Sequence, residues 1–308
     1  MTAPTKIIVL SGGSSPERDV SLRSGKVVTT ALEACGYEVR AVDPQDGLQH
    51  YGAELEQAQV VFPVLHGSGG EDGTAQQALE TISVPFVGSS SSVSALCFDK
   101  QLAKERLEAA GVTVAKGEVV TAQTFWQSPL IAQPFVLKPV DGGSSIDTHI
   151  IRDVANMDRQ PLDRSLQLHT RMLLEELIDG IEITVGVIGE KALPVIEIIP
   201  PKNGEFDYDN KYNGKTTELC PPKHVTPGDQ LKAQRTALNI HHILGCRDLS
   251  RTDFIMTADG TLYALETNTL PGMTDQSLLP KAAAAAGISM EQLVDRLVQM
   301  ALKRAHKS

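Results

Sequence analysis

Three oxygen-bearing side chains near the C-terminal end of the chain could together bind a divalent metal ion: Asp253, Glu266 and Asn268. They fall in a segment whose alternating apolar and polar residues are typical of two β-strands. If a hairpin pairs Asp253 with Glu266, the three side chains share one face of it. Arg251 then lies opposite Asn268 on that same face. Two carboxylates directly opposite each other destabilise a sheet unless a cation lies between them, and Mg²⁺ with carboxylate, phosphate and water ligands suits this position.

The pairing depends on the turn between the two strands. Asp259-Gly260, flanked by alternating apolar residues, is typical of a two-residue hairpin turn. Such a turn pairs Ala258 with Thr261. When the pairing is continued outwards along both strands, Asp253 comes opposite Glu266. The alternative is a solvated hairpin face whose acidic side chains merely lie near Arg251.

A second segment could bind phosphate. Lys138 ends an apolar strand, and Gly142-Gly143-Ser144-Ser145 follows it. A lysine beside exposed backbone N–H groups suits phosphate oxygens. The segment is not a P-loop, because the GxxxxGK[ST] order is absent. An ordinary hairpin turn with a solvated lysine is the alternative.

A third segment is acidic and follows the buried strand expected over 172–174. It contains Glu175, Glu176 and, a few residues later, Glu182. Carboxylates and backbone groups in such a position could bind an adenine amine and ribose hydroxyls. A solvated acidic loop is the alternative here.

Bulk properties narrow the class of protein. The 308 residues, 41% of them hydrophobic, predict two or three domains with real cores. The net charge of −10 argues against nucleic-acid binding. No apolar run is long enough for a membrane span, and the N-terminus does not resemble a signal peptide. The four cysteines lack metal-type or CxxC spacing, which predicts reduced thiols and a cytoplasmic location.

The expected elements place these segments in an α/β fold. The first hundred residues alternate strand and helix, as in an open parallel sheet whose fourth strand covers 84–87. Glycine-rich loops at 11–18 and 66–73 leave the carboxyl ends of two strands, where ligands bind in such sheets. Further strands follow, with a long loop over 200–227. The last helix opens with a capping box at Ser289 and Gln292.

Eight segments occur in an order that is known from one enzyme family. They include Glu266-Thr267-Asn268 and Pro271-Gly272-Met273-Thr274 within 266–274. With the other seven, at 12–21, 65–74, 94–100, 138–139, 143–145, 211–212 and 251–253, the chain resembles the D-alanine–D-alanine ligase family of ATP-grasp enzymes over nearly its whole length.

This resemblance implies the fold and its division. The fold class is α/β, with α+β character in the ATP-grasp part: an N-terminal open parallel sheet, then two ATP-grasp subdomains with nucleotide bound between them. The expected parts are a Rossmann-like substrate domain over 1–97, a central subdomain over 98–179 and a C-terminal subdomain over 180–308. The last part carries the metal site and a mobile loop near 203–219.

The resemblance also implies that ATP is a co-substrate. The expected ATP-binding residues are those of the phosphate and adenine-ribose segments, and two Mg²⁺ ions, for which Mn²⁺ may substitute, bridge the phosphates. The resemblance assigns Lys100, Lys138, Gly143, Ser144 and Ser145 to the phosphates, Glu175 and Ile178 to the adenine, Glu182 to the ribose, and Asp253, Glu266 and Asn268 to the metal ions. Glu176 and Lys211 are also expected to bind ATP.

The implied reaction joins two D-alanines through an acyl phosphate, for peptidoglycan precursors. Arg251 and the Gly272 N–H would stabilise the oxyanion, and Glu17, Ser144 and Tyr212 would form a hydrogen-bonded set that closes the site. Glu17, Val20, Ser21 and His66 would bind the first D-alanine, and Ser277 and Leu278 the carboxylate of the second.

Some features depart from the family pattern or leave alternatives open. Glu176 stands where some relatives have lysine, and Asp147 lies where a glycine commonly occurs. The resemblance implies a homodimer without locating its interface. Alternative functions are another ATP-grasp carboxylate–amine ligase, of the D-alanyl-D-lactate or D-alanyl-D-serine type, and a nucleotide-binding protein without catalysis.

Overall fold

The computed structural model describes residues 5–143, 146–200 and 216–306. Within these ranges the chain forms three sheets. Its strands are β1 (Lys6–Leu10), β2 (Glu38–Val42), β3 (Val60–Pro63), β4 (Gly117–Val120), β5 (Phe135–Pro139), β6 (His149–Ile151), β7 (Met172–Glu176), β8 (Ile181–Ile188), β9 (Lys191–Ala192), β10 (Ile196–Ile199), β11 (Thr217–Leu219), β12 (Leu249–Met256) and β13 (Leu262–Asn268). Its α-helices are α1 (Arg18–Ala34), α2 (Gly52–Leu55), α3 (Thr74–Thr81), α4 (Ser91–Phe98), α5 (Lys100–Ala109), α6 (Arg159–Leu168), α7 (Pro227–Leu244), α8 (Leu278–Ala285) and α9 (Met290–Ala305).

The N-terminal sheet is parallel and has the order β2-β1-β3. Successive residues of β1 point to opposite faces, and both faces are covered. Ile7 and Val9 pack towards α1 and α9, whereas Ile8 and Leu10 pack towards α2 and α3. This confirms the parallel α/β arrangement predicted for the first part of the chain.

The fourth strand predicted over 84–87 is wrong. The segment makes a single parallel bridge, between Val61 and Phe86. Pro85 has no N–H to donate to a ladder, although its carbonyl accepts from the Val61 N–H at 2.8 Å. Gly88, at φ +103°, then turns the chain away, so the pairing ends after one bridge.

Two antiparallel sheets follow. One has the order β4-β7-β5-β6, and its core includes Phe135, Leu137 and Leu162. The other is six-stranded, with the path β11-β10-β8-β12-β13 and β9 paired with β8. Its central strand β8 turns Ile183 and Val185 towards α7, which leaves its polar residues to the opposite face.

The hairpin of β12 and β13 has the predicted register at the carboxylates but not at its turn. Asp253 pairs with Glu266, which confirms the prediction. The predicted pairing of Ala258 with Thr261 is wrong, because the Thr257 N–H donates to the Thr261 carbonyl at 3.0 Å. The loop therefore has three residues and ends at Gly260, whose φ is +78°, as in turns with a bulged glycine.

A second irregularity restores the register. Phe254 pairs with Ala264 while the neighbouring Asp253 pairs with Glu266. The additional residue of β13, Leu265, forms a β-bulge. The bulge offsets the extra loop residue. The two carboxylates are therefore opposite each other because two irregularities compensate, and not because the turn has two residues.

The N-terminal sheet shares its core with the C-terminal helices. Val28 and Leu32 of α1 belong to one buried cluster with Leu293, Leu297 and other residues of α9. Helix α9 begins with the predicted capping box, in which Ser289 and Gln292 each bind the other's backbone. The predicted division at 97 and 179 stays a proposal, because this core runs across it. Among the described residues, no helix is long and apolar enough to span a membrane.

A partly buried ion pair joins α9 to the turn before β12. Asp248, with φ +60°, accepts from both terminal nitrogens of Arg304, at 2.6 and 3.0 Å, and from the Gly88 N–H at 2.8 Å. Arg304 also donates to the Phe86 carbonyl at 2.7 Å. The network joins the end of the first α/β region to the C-terminal helix.

Asp248→Asn is expected to lower the free energy of unfolding by about 1–2 kcal/mol, because the partly exposed Arg304 loses its hydrogen-bonded counter-charge. Asparagine keeps the side-chain shape and tolerates positive φ. Denaturant unfolding measures the change. Glu38→Gln is the control, because it removes an exposed ion pair with Lys6 at 4.0 Å. It should change the free energy of unfolding by less than about 0.5 kcal/mol. Equal stability of the two variants would contradict the assigned role.

Candidate active site

Two cavities meet where the three sheets approach one another. The first, called here the inter-sheet cavity, has a volume of about 810 Å³ and is lined by β5, β6 and β7 on one side and β8, β10, β12 and β13 on the other. The second, the edge cavity, has about 780 Å³ and lies among α1, the 66–71 loop and the start of α8. Both are lined by Glu17, Lys100, Gly142, Gly143 and Glu266.

Asp253 is bound by a cation from its own strand. Arg251 donates to its two carboxylate oxygens, from Nε at 2.9 Å and from Nη2 at 2.8 Å. Thr184 of β8 donates to the same carboxylate at 2.5 Å. Burial alone would lower the pKa of Arg251, but the adjacent Asp253 outweighs it and raises that pKa above its usual value. The acid–arginine contact that the sequence left as an alternative is therefore present.

Glu266 and Asn268 complete the oxygen-bearing face. Glu266 lines both cavities and forms no hydrogen bond with the residues that the structure describes. The Asn268 side-chain oxygen accepts from the Leu270 N–H at 2.8 Å, which leaves its second lone pair. Within the described ranges no three His, Cys, Asp or Glu side chains cluster as metal ligands. The donors are thus two carboxylates and an amide oxygen, which suit a hard cation such as Mg²⁺.

A buried carboxylate joins two lysines on the opposite wall. Glu175 is 2.8 Å from Lys138 Nζ and 2.7 Å from Lys104 Nζ. Burial would raise the pKa of Glu175, but the two ammonium groups outweigh it and hold that pKa below its usual range. The same contact keeps the pKa of Lys138 above its usual value in spite of burial. The solvated-loop and solvated-lysine alternatives are therefore wrong at these positions.

The adenine and ribose candidates lie along one edge of the inter-sheet cavity. Glu175, Glu176, Ile178 and Glu182 all line it. Glu176 accepts from the Lys116 N–H at 3.0 Å, and Glu175 belongs to β7 instead of a loop beyond it. The Glu175 carboxylate is therefore occupied by lysines, and its contact with a base remains a prediction.

Lys100 holds the start of the glycine-rich segment. Its Nζ donates to the Gly142 carbonyl at 2.6 Å, and its backbone N–H donates to the Val140 carbonyl at 2.9 Å. Burial lowers the pKa of Lys100, and the nearby Lys138 adds to that effect. Asp99 directly precedes Lys100 and caps helix α5, because its side chain accepts from the Leu102 N–H at 3.0 Å. The predicted Ser144, Ser145, Lys211 and Tyr212 lie outside the described residues.

The edge cavity is lined by most of the residues predicted for amino-acid binding. Glu17, Val20, His66, Gly272, Ser277 and Leu278 all contribute to its wall, together with Arg251. His66 is buried, with Nδ1 3.3 Å from Glu71 and Nε2 3.4 Å from the Ser24 hydroxyl. It therefore has structural partners and also faces the cavity.

Ser21 differs from its neighbours. Its hydroxyl is fully buried, accepts from the Gly12 N–H at 2.8 Å and donates to the Val64 carbonyl at 2.7 Å. The side chain joins the loop at 11–18 to the end of β3 and does not line either cavity.

Helix α8 places Ser277 and Leu278 at the wall of the edge cavity. The Ser277 hydroxyl accepts from the Thr274 N–H at 3.0 Å and does not cap the helix. The helix packs closely on β8, because a Cβ added at Gly186 would lie 2.5 Å from the Leu279 side chain. The first N–H groups of a helix have no intrahelical partner and favour anions, as an amino-acid carboxylate would require.

Sequence reasoning missed several charged residues of the site. Lys104 contacts Glu175, and its spacing of four from Lys100 on one helix could have indicated it. Lys281 is 2.7 Å from Glu218, and both line the edge cavity. Glu218 comes from a distant strand, so no local signal could have predicted that contact.

The architecture defines the class of protein. Two antiparallel sheets enclose a cavity, with Lys138 on one wall and Asp253 and Glu266 on the other. This arrangement, which follows an N-terminal parallel sheet in the chain, is that of the ATP-grasp enzymes. Family models described as the D-ala D-ala ligase C-terminus and N-terminus match residues 107–299 and 41–89.

Individual relatives agree with this class. The chain is 40% identical to a D-alanine–D-alanine ligase of Erythrobacter litoralis, over 96% of this chain and 93% of the relative. It is 42% identical to one of Xanthobacter autotrophicus, over 95% and 97%. The crystal structure of the Bacillus anthracis D-alanine–D-alanine ligase complexed with ATP is 29% identical and superimposes with a TM-score of 0.84 over 98% of this chain and 99% of that one. The chain therefore belongs to the D-alanine–D-alanine ligase family.

Proposed function

We propose that the protein joins two D-alanine molecules to D-alanyl-D-alanine and converts ATP to ADP and phosphate. The observation that carries the proposal is the meeting of the two cavities at Lys100, Gly143 and Glu266. A nucleotide between the sheets would there bring its terminal phosphate to an amino-acid carboxylate in the edge cavity. Family membership supports the choice of substrates.

The reaction has two steps. A carboxylate oxygen of the first D-alanine attacks the γ-phosphorus of ATP, and the bond to the bridging oxygen breaks, which releases ADP and forms an acyl phosphate. The amine of the second D-alanine then attacks the acyl carbon, loses a proton and expels phosphate. Phosphorylation is needed because a free carboxylate is a poor electrophile.

Positively charged groups would lower the barrier of both steps. Lys100 and Lys138 would bind phosphate oxygens and neutralise charge on the transferred group. Arg251 and the Gly272 N–H would stabilise the oxyanion formed when the amine attacks. Arg251 is already held in place by Asp253, so little reorganisation is required.

The oxygen donors of the hairpin fit Mg²⁺, which Mn²⁺ could replace. Asp253, Glu266 and Asn268 would hold two ions, and these would supply positive charge to the phosphates. The fit rests on the hard oxygen ligands and on Glu266, which faces both cavities without a hydrogen-bond partner among the described residues.

Substrate binding follows from the edge cavity. Glu17 would bind the ammonium group of the first D-alanine, with Val20 and His66 beside it. Ser277 and Leu278 would bind the carboxylate of the second at the start of α8. The participation of Ser144 and Tyr212 in closing the site and accepting the amine proton remains a prediction from the family resemblance.

Product identification tests this proposal. With ATP, Mg²⁺ and D-alanine, mass spectrometry should detect D-alanyl-D-alanine and one ADP for each dipeptide. D-lactate, D-serine and L-alanine offered in place of the second D-alanine should give much less product. Activity with another acid and none with D-alanine would refute the substrate assignment, and the absence of turnover would favour a nucleotide-binding protein without catalysis.

The cellular setting is part of the proposal. A D-alanyl-D-alanine ligase would supply peptidoglycan precursors and, because it consumes ATP, would work in the cytoplasm. The homodimer implied by the family resemblance remains a prediction, which analytical ultracentrifugation of the purified protein tests.

A further inference from the structure

An aspartate beside the inter-sheet cavity adopts a backbone conformation that favours glycine. Asp147 has φ +53°, in the left-handed region, which aspartate and asparagine occupy more readily than most other residues with a Cβ. It lies between Ile146 and Thr148, both of which line the cavity. Asp147 therefore belongs to the segment that continues from Gly142 and Gly143 towards β6.

A histidine from another element binds this aspartate. His169 Nε2 is 2.7 Å from Asp147 Oδ2, and the two side chains are 28% and 33% exposed. His169 lies at the end of α6 and lines the inter-sheet cavity itself. His149, the other nearby imidazole, is bound to the Ser165 hydroxyl at 2.8 Å, so His169 is the imidazole in contact with Asp147.

The pair lies at the phosphate end of the cavity. Met172, three residues after His169, pairs with Pro139 in the sheet, and the Val140 N–H donates to the Arg171 carbonyl at 3.4 Å. The chain around His169 is thus adjacent to the residues that directly follow Lys138. A carboxylate at this end would repel the nucleotide phosphates unless a hydrogen-bond partner held it away from them.

We propose that His169 is a positioning residue for the nucleotide, which acts by binding the Asp147 carboxylate through a hydrogen bond and so fixing the segment beside the cavity. This inference rests on the proposed use of ATP. The hydrogen bond from His169 fixes the direction of the Asp147 carboxylate, which would otherwise be free to turn towards the phosphates. The site is therefore a matched pair, in which the loss of His169 is more harmful than the loss of the Asp147 charge.

A double-mutant cycle on nucleotide affinity tests this inference. The affinity for a fluorescent ATP analogue with Mg²⁺ is measured without D-alanine for the wild type, His169→Ala, Asp147→Asn and the double variant. His169→Ala should weaken binding by about tenfold, because the Asp147 carboxylate loses the partner that holds it and can approach the nucleotide phosphates. Asparagine tolerates the same φ, so adding Asp147→Asn should restore affinity to within about threefold of the Asp147→Asn variant.

His242→Ala is the matched control. His242 forms a similar pair with Glu190, at 2.9 Å, on an exposed surface away from both cavities, and its loss should leave nucleotide affinity unchanged. Unchanged affinity in His169→Ala would overturn the inference. So would a loss that Asp147→Asn fails to restore, because His169 would then act by direct contact or by packing.

The binding assay separates this inference from the proposed function. If the wild type binds the nucleotide but forms no dipeptide, the proposed reaction fails, and the cycle still decides the role of His169. If the wild type does not bind the nucleotide at all, both are overturned.

Discussion

Glu266→Gln is expected to lower kcat for dipeptide formation by about 100- to 1000-fold, because it removes a charge from the site of phosphoryl transfer. Glu266 faces both cavities and has no hydrogen bond to the described residues. Its charge is therefore not needed to hold the hairpin together. The glutamine has nearly the same shape, so the free energy of unfolding should change by less than about 1 kcal/mol.

The measurement combines steady-state kinetics with denaturant unfolding. Mg²⁺ titration adds a readout of the metal assignment, because a variant that has lost a ligand should need a higher Mg²⁺ concentration for half-maximal activity. Glu190→Gln, on the exposed turn between β8 and β9, is the matched control and should behave as the wild type. Normal turnover by Glu266→Gln would mean that the hairpin does not hold the metal ions.

Glu175→Gln is expected to lower the free energy of unfolding by about 3 kcal/mol, because two buried lysines lose their shared counter-charge. Glu175 contacts Lys138 and Lys104, and all three side chains are nearly buried. Affinity for ATP should change as well, since Lys138 would lose the contact that orients it. Glu108→Gln, at an exposed position of α5, is the control.

The effect of Glu175→Gln should depend on pH in a defined direction. The pKa of Glu175 in the folded protein lies below the usual value of a glutamate. Its contribution is therefore fully present above that usual value and is lost as the pH falls through the lower, folded-state pKa. Unfolding curves at pH 7 and at acidic pH measure this. A stability difference from the wild type that stays constant down to strongly acidic pH would contradict the charge-pair explanation.

The hairpin shows how a sequence prediction can be right in its result and incomplete in its reasoning. Alternation of apolar residues and the Asp259-Gly260 pair were sufficient to predict two strands with Asp253 opposite Glu266. The turn has one residue more than predicted, and the bulge at Leu265 compensates for it. Both features depend on how the hairpin packs in the six-stranded sheet, so local turn preferences could not predict them.

Charged contacts between distant segments were the least predictable part of the site. The sequence patterns indicated Lys138 as a phosphate-binding residue and Glu175 as an adenine-binding residue. In the structure, Glu175 forms ion pairs with both Lys138 and Lys104. Asp147 stood out in the sequence only as a departure from the family pattern. Its partner His169 lies 22 positions away, and only the tertiary fold brings the two together.

The amino-acid sequence by itself determined the family, the α/β class, the glycine-rich loops and a set of candidate residues, most of which line the two cavities. These properties follow from residue type, short-range periodicity and motif order, which the chain carries locally. The tertiary structure alone decided that Arg251 binds Asp253, that Ser21 is fully buried and that one core joins α1 to α9. Such contacts depend on which side chains lose water together when the sheets and helices pack, and that is a property of the whole fold.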